Sequence, residues 1–153
     1  MVNILFCTAY ILLFSFIILK ADFFKLPGLK SLHTLLAFFL KLLFGLALWY
    51  IYVHHYKNRL TSDIFKYYDD GAILYNTIHH SFGDFIKMFT GIGDSSPEIQ
   101  SIYNGMNSWA NSYQSAFYNN SHFIIRLNAL FLFFSQGHYG VHVIFMCFIS
   151  LVG

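Results

Sequence analysis

Apolar positions run almost unbroken at both ends of the chain, while the middle is polar. The first run, Val2–Leu19, carries no charged side chain and just reaches the membrane-spanning threshold of about 18 residues. A signal peptide needs a basic start and a small-residue cleavage site. Met1-Val2-Asn3 and Ile18-Leu19-Lys20-Ala21-Asp22 supply neither, so the pattern predicts a retained helix. A polar link follows, with Lys20, Lys25, Lys30 and the helix-breaking pair Pro27-Gly28. The second run, Leu32–Val53, closes on Trp49-Tyr50-Ile51-Tyr52, side chains that favour the headgroup level of a bilayer. Lys41 interrupts it, about 13 Å along the helix axis. Its stem can snorkel to the interface, which stands beside the reading of a functional intramembrane charge.

From His54 to His122 the texture changes to Gly, Asn, Ser, Asp and Tyr, and every acidic residue except Asp22 falls here. Two short helices are expected in this stretch. One begins at Ser81-Phe82-Gly83-Asp84, with Asp84 as N-cap, an apolar face of Phe85, Ile86 and Phe89, and Gly91 just past its end. Such a helix suits the membrane surface. The other begins at Ser95-Ser96-Pro97-Glu98, with a Ser95/Glu98 capping box, and stops at Asn104-Gly105. Apolar character returns at Phe123. Leu127–Phe134 is too short to span and is broken by Ser135-Gln136-Gly137-His138, and Val141–Val152 stops short of the roughly 20 residues a spanning helix needs.

The fold expected is therefore all-α and polytopic. Residues 1–53 hold two transmembrane helices (2–19 and 32–53). Residues 54–122 form a large extracytoplasmic loop with short surface helices, and 123–153 are a membrane re-entry and a truncated transmembrane helix. The pattern predicts the N-terminal piece of a longer protein, with partner helices in the remainder.

Composition reinforces the lipid setting. Hydrophobic residues are 57% and charged residues 10%, against about 25% charged in a soluble domain. That composition argues against a soluble enzyme. The net charge of +2 is small, and with Arg59 and Arg126 the only arginines there is no nucleic-acid footprint. Lys20, Lys25 and Lys30 crowd the short first link. Lys57, Arg59, Lys66, Lys87 and Arg126 are spread over the long loop, so positive-inside counting places the loop outward. Cys7 and Cys147 sit in apolar runs and read as buried thiols rather than a disulfide framework.

Chemistry concentrates in Thr61-Ser62-Asp63-Ile64-Phe65-Lys66-Tyr67-Tyr68-Asp69-Asp70-Gly71. On a helix, Asp63, Lys66, Tyr67 and Asp70 share one face, and the two carboxylates stand about 10 Å apart along the axis. Asp69 points about 100° away. Lys66 bridging Asp63 and Asp70 as surface ion pairs is the plain reading. The alternative is a general base for an incoming hydroxyl, or a pair of acids holding a divalent cation. His54-His55 and His79-His80 are adjacent pairs that do not converge on one ion. His138 and His142 have metal-compatible spacing without a third ligand nearby, so no metal site is assigned. Asn119-Asn120-Ser121 matches a glycosylation sequon.

A membrane helix, a large first outer loop and the acids Asp63, Asp69 and Asp70 just after the helix resemble the GT-C superfamily of polytopic glycosyltransferases. Arg126-Leu127-Asn128-Ala129-Leu130 and Gly137-His138-Tyr139-Gly140-Val141-His142 look like the re-entry of bacterial members. The resemblance covers about residues 40–153, and Val2–Leu19 adds a helix in front of it. It implies transfer of a sugar from a polyprenyl-phosphate donor at the outer face of a bacterial cytoplasmic membrane. Asp63 or Asp70, or Asp69, would serve as the acid group, with a divalent cation as an option. A donor phosphate needs a cation near the interface, and Arg126 at the membrane boundary is the candidate, against a snorkelling anchor. The contrasting expectation is a non-enzymatic polytopic protein, a transporter part or an envelope assembly factor.

Overall fold

The computed structural model describes residues 2–25, 27–56, 58–109 and 121–152. Lys57 and the sequon's Asn119-Asn120 lie outside the described residues. Among these residues the chain is all-α, without strands: α1 (Val2–Lys20), α2 (Ser31–His55), α3 (Asp63–Asn76), α4 (Phe82–Thr90), α5 (Pro97–Asn104), α6 (Ser121–Ser135) and α7 (Tyr139–Ile149). Backbone contacts divide it into two compact units, Met1–His55 with His138–Gly153, and Tyr56–Gly137.

The first unit packs α1, α2 and α7 together. α2 turns Phe38 and Leu42 inward, and one turn later Gly45 completes the stripe. Gly45 is there for close approach: a Cβ at that position would fall 2.9 Å from the Cys147 sulfur of α7. The Cys147 thiol donates to the Lys41 carbonyl oxygen at 3.3 Å, so it is absorbed by packing. α1 contributes Phe14 and Ile18, and Phe14 stacks on Phe148 at 4.1 Å between ring centres. The outer faces stay apolar. Leu36, Leu43 and Phe44 are 58%, 62% and 69% exposed. Ser31–His55 is long and apolar enough to cross a membrane, with 11% of its most apolar window buried. α6 and α7 pass the same test only together, as a broken pair, giving one or two candidate spans among the described residues. α1 is a shorter apolar helix.

The second unit is built on the α3–α6 pair. Gly71 marks the crossing, where a Cβ would meet Asn128 Cβ at 2.7 Å and the Ile125 carbonyl oxygen at 3.0 Å. Leu74, Phe85, Met88, Ile99, Tyr103 and Ile125 form the core beside it. Two local expectations need correction. The N-cap of α4 is Ser81, whose hydroxyl accepts from the Asp84 amide at 3.2 Å. Asp84 stands in the first turn, paired with Lys87 at 2.9 Å. Side-chain hydrogen bonds from Lys87, then Ser81, to its carboxyl hold that group below the usual carboxylate range. The buried face of α4 is Phe85 and Met88, with Ile86 outside it at 41% exposure. Likewise α5 is capped by Ser96, with Pro97 in its first turn, rather than by Ser95. Gly91 ends α4 in the left-handed conformation, φ 75°, as its position suggests. α6 stops at Ser135, where Gln136 and Gly137 both take positive φ, and Tyr68 of α3 donates to the Gly137 carbonyl oxygen at 2.7 Å.

Candidate functional site

The acidic segment is helical from Asp63 onward, and the structure sends its three carboxylates to three different partners. Asp63 occupies the first turn of α3, where a negative charge is favoured by the helix dipole. It pairs with Lys66 at 3.3 Å and its side chain is 72% exposed. Asp69 meets Arg59, from the turn before α3, in a two-pronged contact: Nη2 to Oδ1 at 2.6 Å and Nε to Oδ2 at 3.2 Å. Arg59 also covers the Phe65 ring at 4.5 Å. The Tyr68 hydroxyl beside this pair is pushed up from the ordinary tyrosine range, by burial first and by the Asp69 charge second.

Asp70 points inward and is fully buried. Its Oδ1 accepts from the Asn107 amide at 2.7 Å and from Asn107 Nδ2 at 3.1 Å, and its Oδ2 accepts from the Ser108 amide at 2.7 Å. A buried carboxylate is tolerable because these donors replace water. The consequence is mechanical: α3 is pinned to the loop that follows α5. The Lys66 bridge expected between Asp63 and Asp70 therefore forms only on its Asp63 side. Holding a divalent cation between Asp69 and Asp70 requires displacing Arg59 or the Asn107 and Ser108 donors. Among the described residues no group of three His, Cys, Asp or Glu is suited to a metal.

Arg126 lies on α6, half-buried rather than extended outward, with Nε donating to the Met88 carbonyl oxygen at 3.2 Å. Its guanidinium faces the Trp109 ring at 5.4 Å. Trp109 is stacked between Tyr103, at 4.2 Å, and His122, at 4.0 Å. Tyr103 donates to Asp94 at 2.8 Å, and its hydroxyl is pushed up, mainly by burial and then by that bond. Sequence reasoning missed this aromatic stack, and it missed Arg59, Asn107 and Ser108. Their contacts join distant segments and leave no local period for a sequence reading to find. Compared with known proteins, the chain matches no family model, no curated protein and no solved structure.

Proposed function

We propose that the chain belongs to an integral membrane glycosyltransferase of the GT-C kind. The second unit would stand at the outer face of a bacterial cytoplasmic membrane, and the donor would be a polyprenyl-phosphate sugar. The observation that carries the membrane setting is the bareness of α2. A core helix of a soluble protein is mostly enclosed, whereas 11% of this apolar window is buried. Large contiguous apolar faces of this kind fit lipid. The glycosyl-transfer reading rests on the resemblance of the Asp-bearing segment after that helix.

Of the three acids, Asp63 suits the base best, because it is the one whose side chain is mostly exposed. Its carboxylate takes the proton of the acceptor hydroxyl, whose oxygen attacks the anomeric carbon. The carbon–oxygen bond to the phosphate breaks, and the polyprenyl phosphate leaves with its negative charge met by Arg126. Asp70 holds the loop rather than the substrate. The non-enzymatic reading, a transporter part or envelope assembly factor, is favoured by one observation: all three carboxylates already have protein partners.

The test uses the full-length protein reconstituted in proteoliposomes with polyprenyl-phosphate sugars. Asp63→Asn is expected to lower turnover by about a hundredfold or more, the usual contribution of general base catalysis, without lowering the melting temperature. Turnover equal to wild type refutes Asp63 as the base. Absence of turnover with every lipid-linked sugar offered to the wild type favours the non-enzymatic reading.

A further inference from the structure

Lys41 is the one lysine, arginine or carboxylate on α2, and it stands beside the helix midpoint at Leu43. At about 1.5 Å per residue the helix is about 37 Å long, and the lysine Cα falls about 3 Å from its centre. Set symmetrically across a hydrocarbon layer of about 30 Å, that atom is about 12 Å from the nearer boundary. A lysine stem covers about half that distance, so the ammonium stays within the hydrocarbon.

The packing of α2 keeps this side chain outside the bundle. The Lys41 carbonyl oxygen accepts from the Cys147 thiol at 3.3 Å. One turn on, a Cβ at Gly45 would meet Cys147 Sγ at 2.9 Å and Val143 Cγ1 at 3.1 Å. α7 is therefore seated against the lysine's backbone, and the rotation of α2 is set. The side chain itself is exposed and joins no ion pair among the described residues. It shares its face with Phe44 and Leu48, one and two turns along, at 69% and 49% exposure.

A cation at this depth is costly unless a counter-charge meets it. Lipid tails supply none. A second copy supplies none either, because two copies meeting through this face bring lysine against lysine. None of the chain's seven acidic residues lies on α1, α2, α6 or α7. The complement of this face is therefore apolar, carries a carboxylate, and belongs to another polypeptide.

We infer that the Lys41 face of α2, with Phe44 and Leu48, docks a membrane-spanning helix of a second protein that carries an aspartate or glutamate at the same depth. The ion pair sets depth and register, and the two apolar side chains pack against the partner. The inference rests on the membrane setting proposed above and owes nothing to the sugar-transfer chemistry.

The test places the full-length protein, with a donor fluorophore at its N-terminus, in phosphatidylcholine liposomes with acceptor-labelled leucine-rich spanning peptides. The peptides carry Glu, Gln or Leu at their centre. Energy transfer is expected to show association about tenfold tighter or more for the Glu peptide than for the Leu peptide, the scale of a polar contact between helices. The Gln peptide should fall between them. Lys41→Leu should remove the preference and Lys41→Arg should keep it. Lys20→Gln, at the end of α1, should leave it unchanged. No preference in wild type overturns the inference, whether lipid or further helices of the protein cover the lysine, and so does a preference kept by Lys41→Leu. A preference that grows when the Glu is moved two turns toward the peptide's end shows a snorkelling lysine and also overturns it. Transfer between copies of the protein that Lys41→Leu lowers assigns the face to self-association instead. Release of the protein by a sodium carbonate wash removes the membrane setting and the inference with it. Absence of sugar transfer leaves the inference standing.

Discussion

Replacing Asp70 by Asn changes one oxygen to an amino group where both carboxylate oxygens are engaged. Oδ1 accepts from two Asn107 donors and Oδ2 from the Ser108 amide, at 2.7–3.1 Å. Whichever way the carboxamide turns, its amino group faces a backbone N–H. One buried donor is orphaned, at about 1–3 kcal/mol. The bonds that remain lose their charge assistance and roughly half their strength. Since the substitution is isosteric and opens no cavity, the sum is about 2–4 kcal/mol. For a unit of this size each kcal/mol lowers the melting temperature by about 4–8 °C, so a fall of about 8–32 °C is expected in the full-length protein in detergent. Asp63→Asn removes only an exposed ion pair and should stay within about 0.5 kcal/mol of wild type. An Asp70→Asn protein that melts with wild type yet loses turnover would refute the structural assignment and return Asp70 to the catalytic site.

Three further outcomes are expected. Gly71→Ala gains about 1 kcal/mol of helix propensity, but its methyl meets the Ile125 oxygen and the Ala129 nitrogen at 3.0 and 3.1 Å. Backbone does not yield, and overpacking of about 1–3 kcal/mol wins; a urea midpoint at or above wild type refutes that contact. Tyr103 has a hydroxyl pushed up by burial and by Asp94. The stability it contributes is thus fully present below about pH 10 and is lost as pH rises through its higher folded value. Tyr103→Phe should flatten that alkaline limb in denaturation midpoints, and an unchanged limb counts against it. Finally, Asp63→Cys, with Cys7 and Cys147 replaced by Ala, should react with an impermeant maleimide on intact cells. Labelling only after lysis refutes an outward loop.

Much of the helical framework was legible locally. The predicted run over 32–53 grew by a residue or two at each end into Ser31–His55, because His54 and His55 continue an unbroken helix. The caps were misjudged by one or three positions, since runs such as Ser95-Ser96 and Ser81 before Asp84 offer rival oxygens and only the backbone angle selects one. Leu127–Phe134 reads from composition as membrane re-entry; α6 also places Ile125 and Ala129 in the core of the second unit and packs on α3, while with α7 it passes as a broken candidate span or re-entrant loop. An apolar run does not say whether its burial partner is lipid or protein. The site was less legible. Spacing placed Asp63 and Asp70 on one face, but it could not reveal that Asn107 and Ser108 take the second acid inward. Nor could it show that Trp109 sets the angle of Arg126.

The first unit is discontinuous: α7 belongs with α1 and α2 but is encoded after the whole of Tyr56–Gly137. Phe14, Phe24 and Phe38 all converge on Phe148, which is synthesised only after residues 56–137. Closing that aromatic seam therefore requires α7 to return to a pair of helices made before the whole of the intervening unit, so the bundle's core is a contact of long sequence separation.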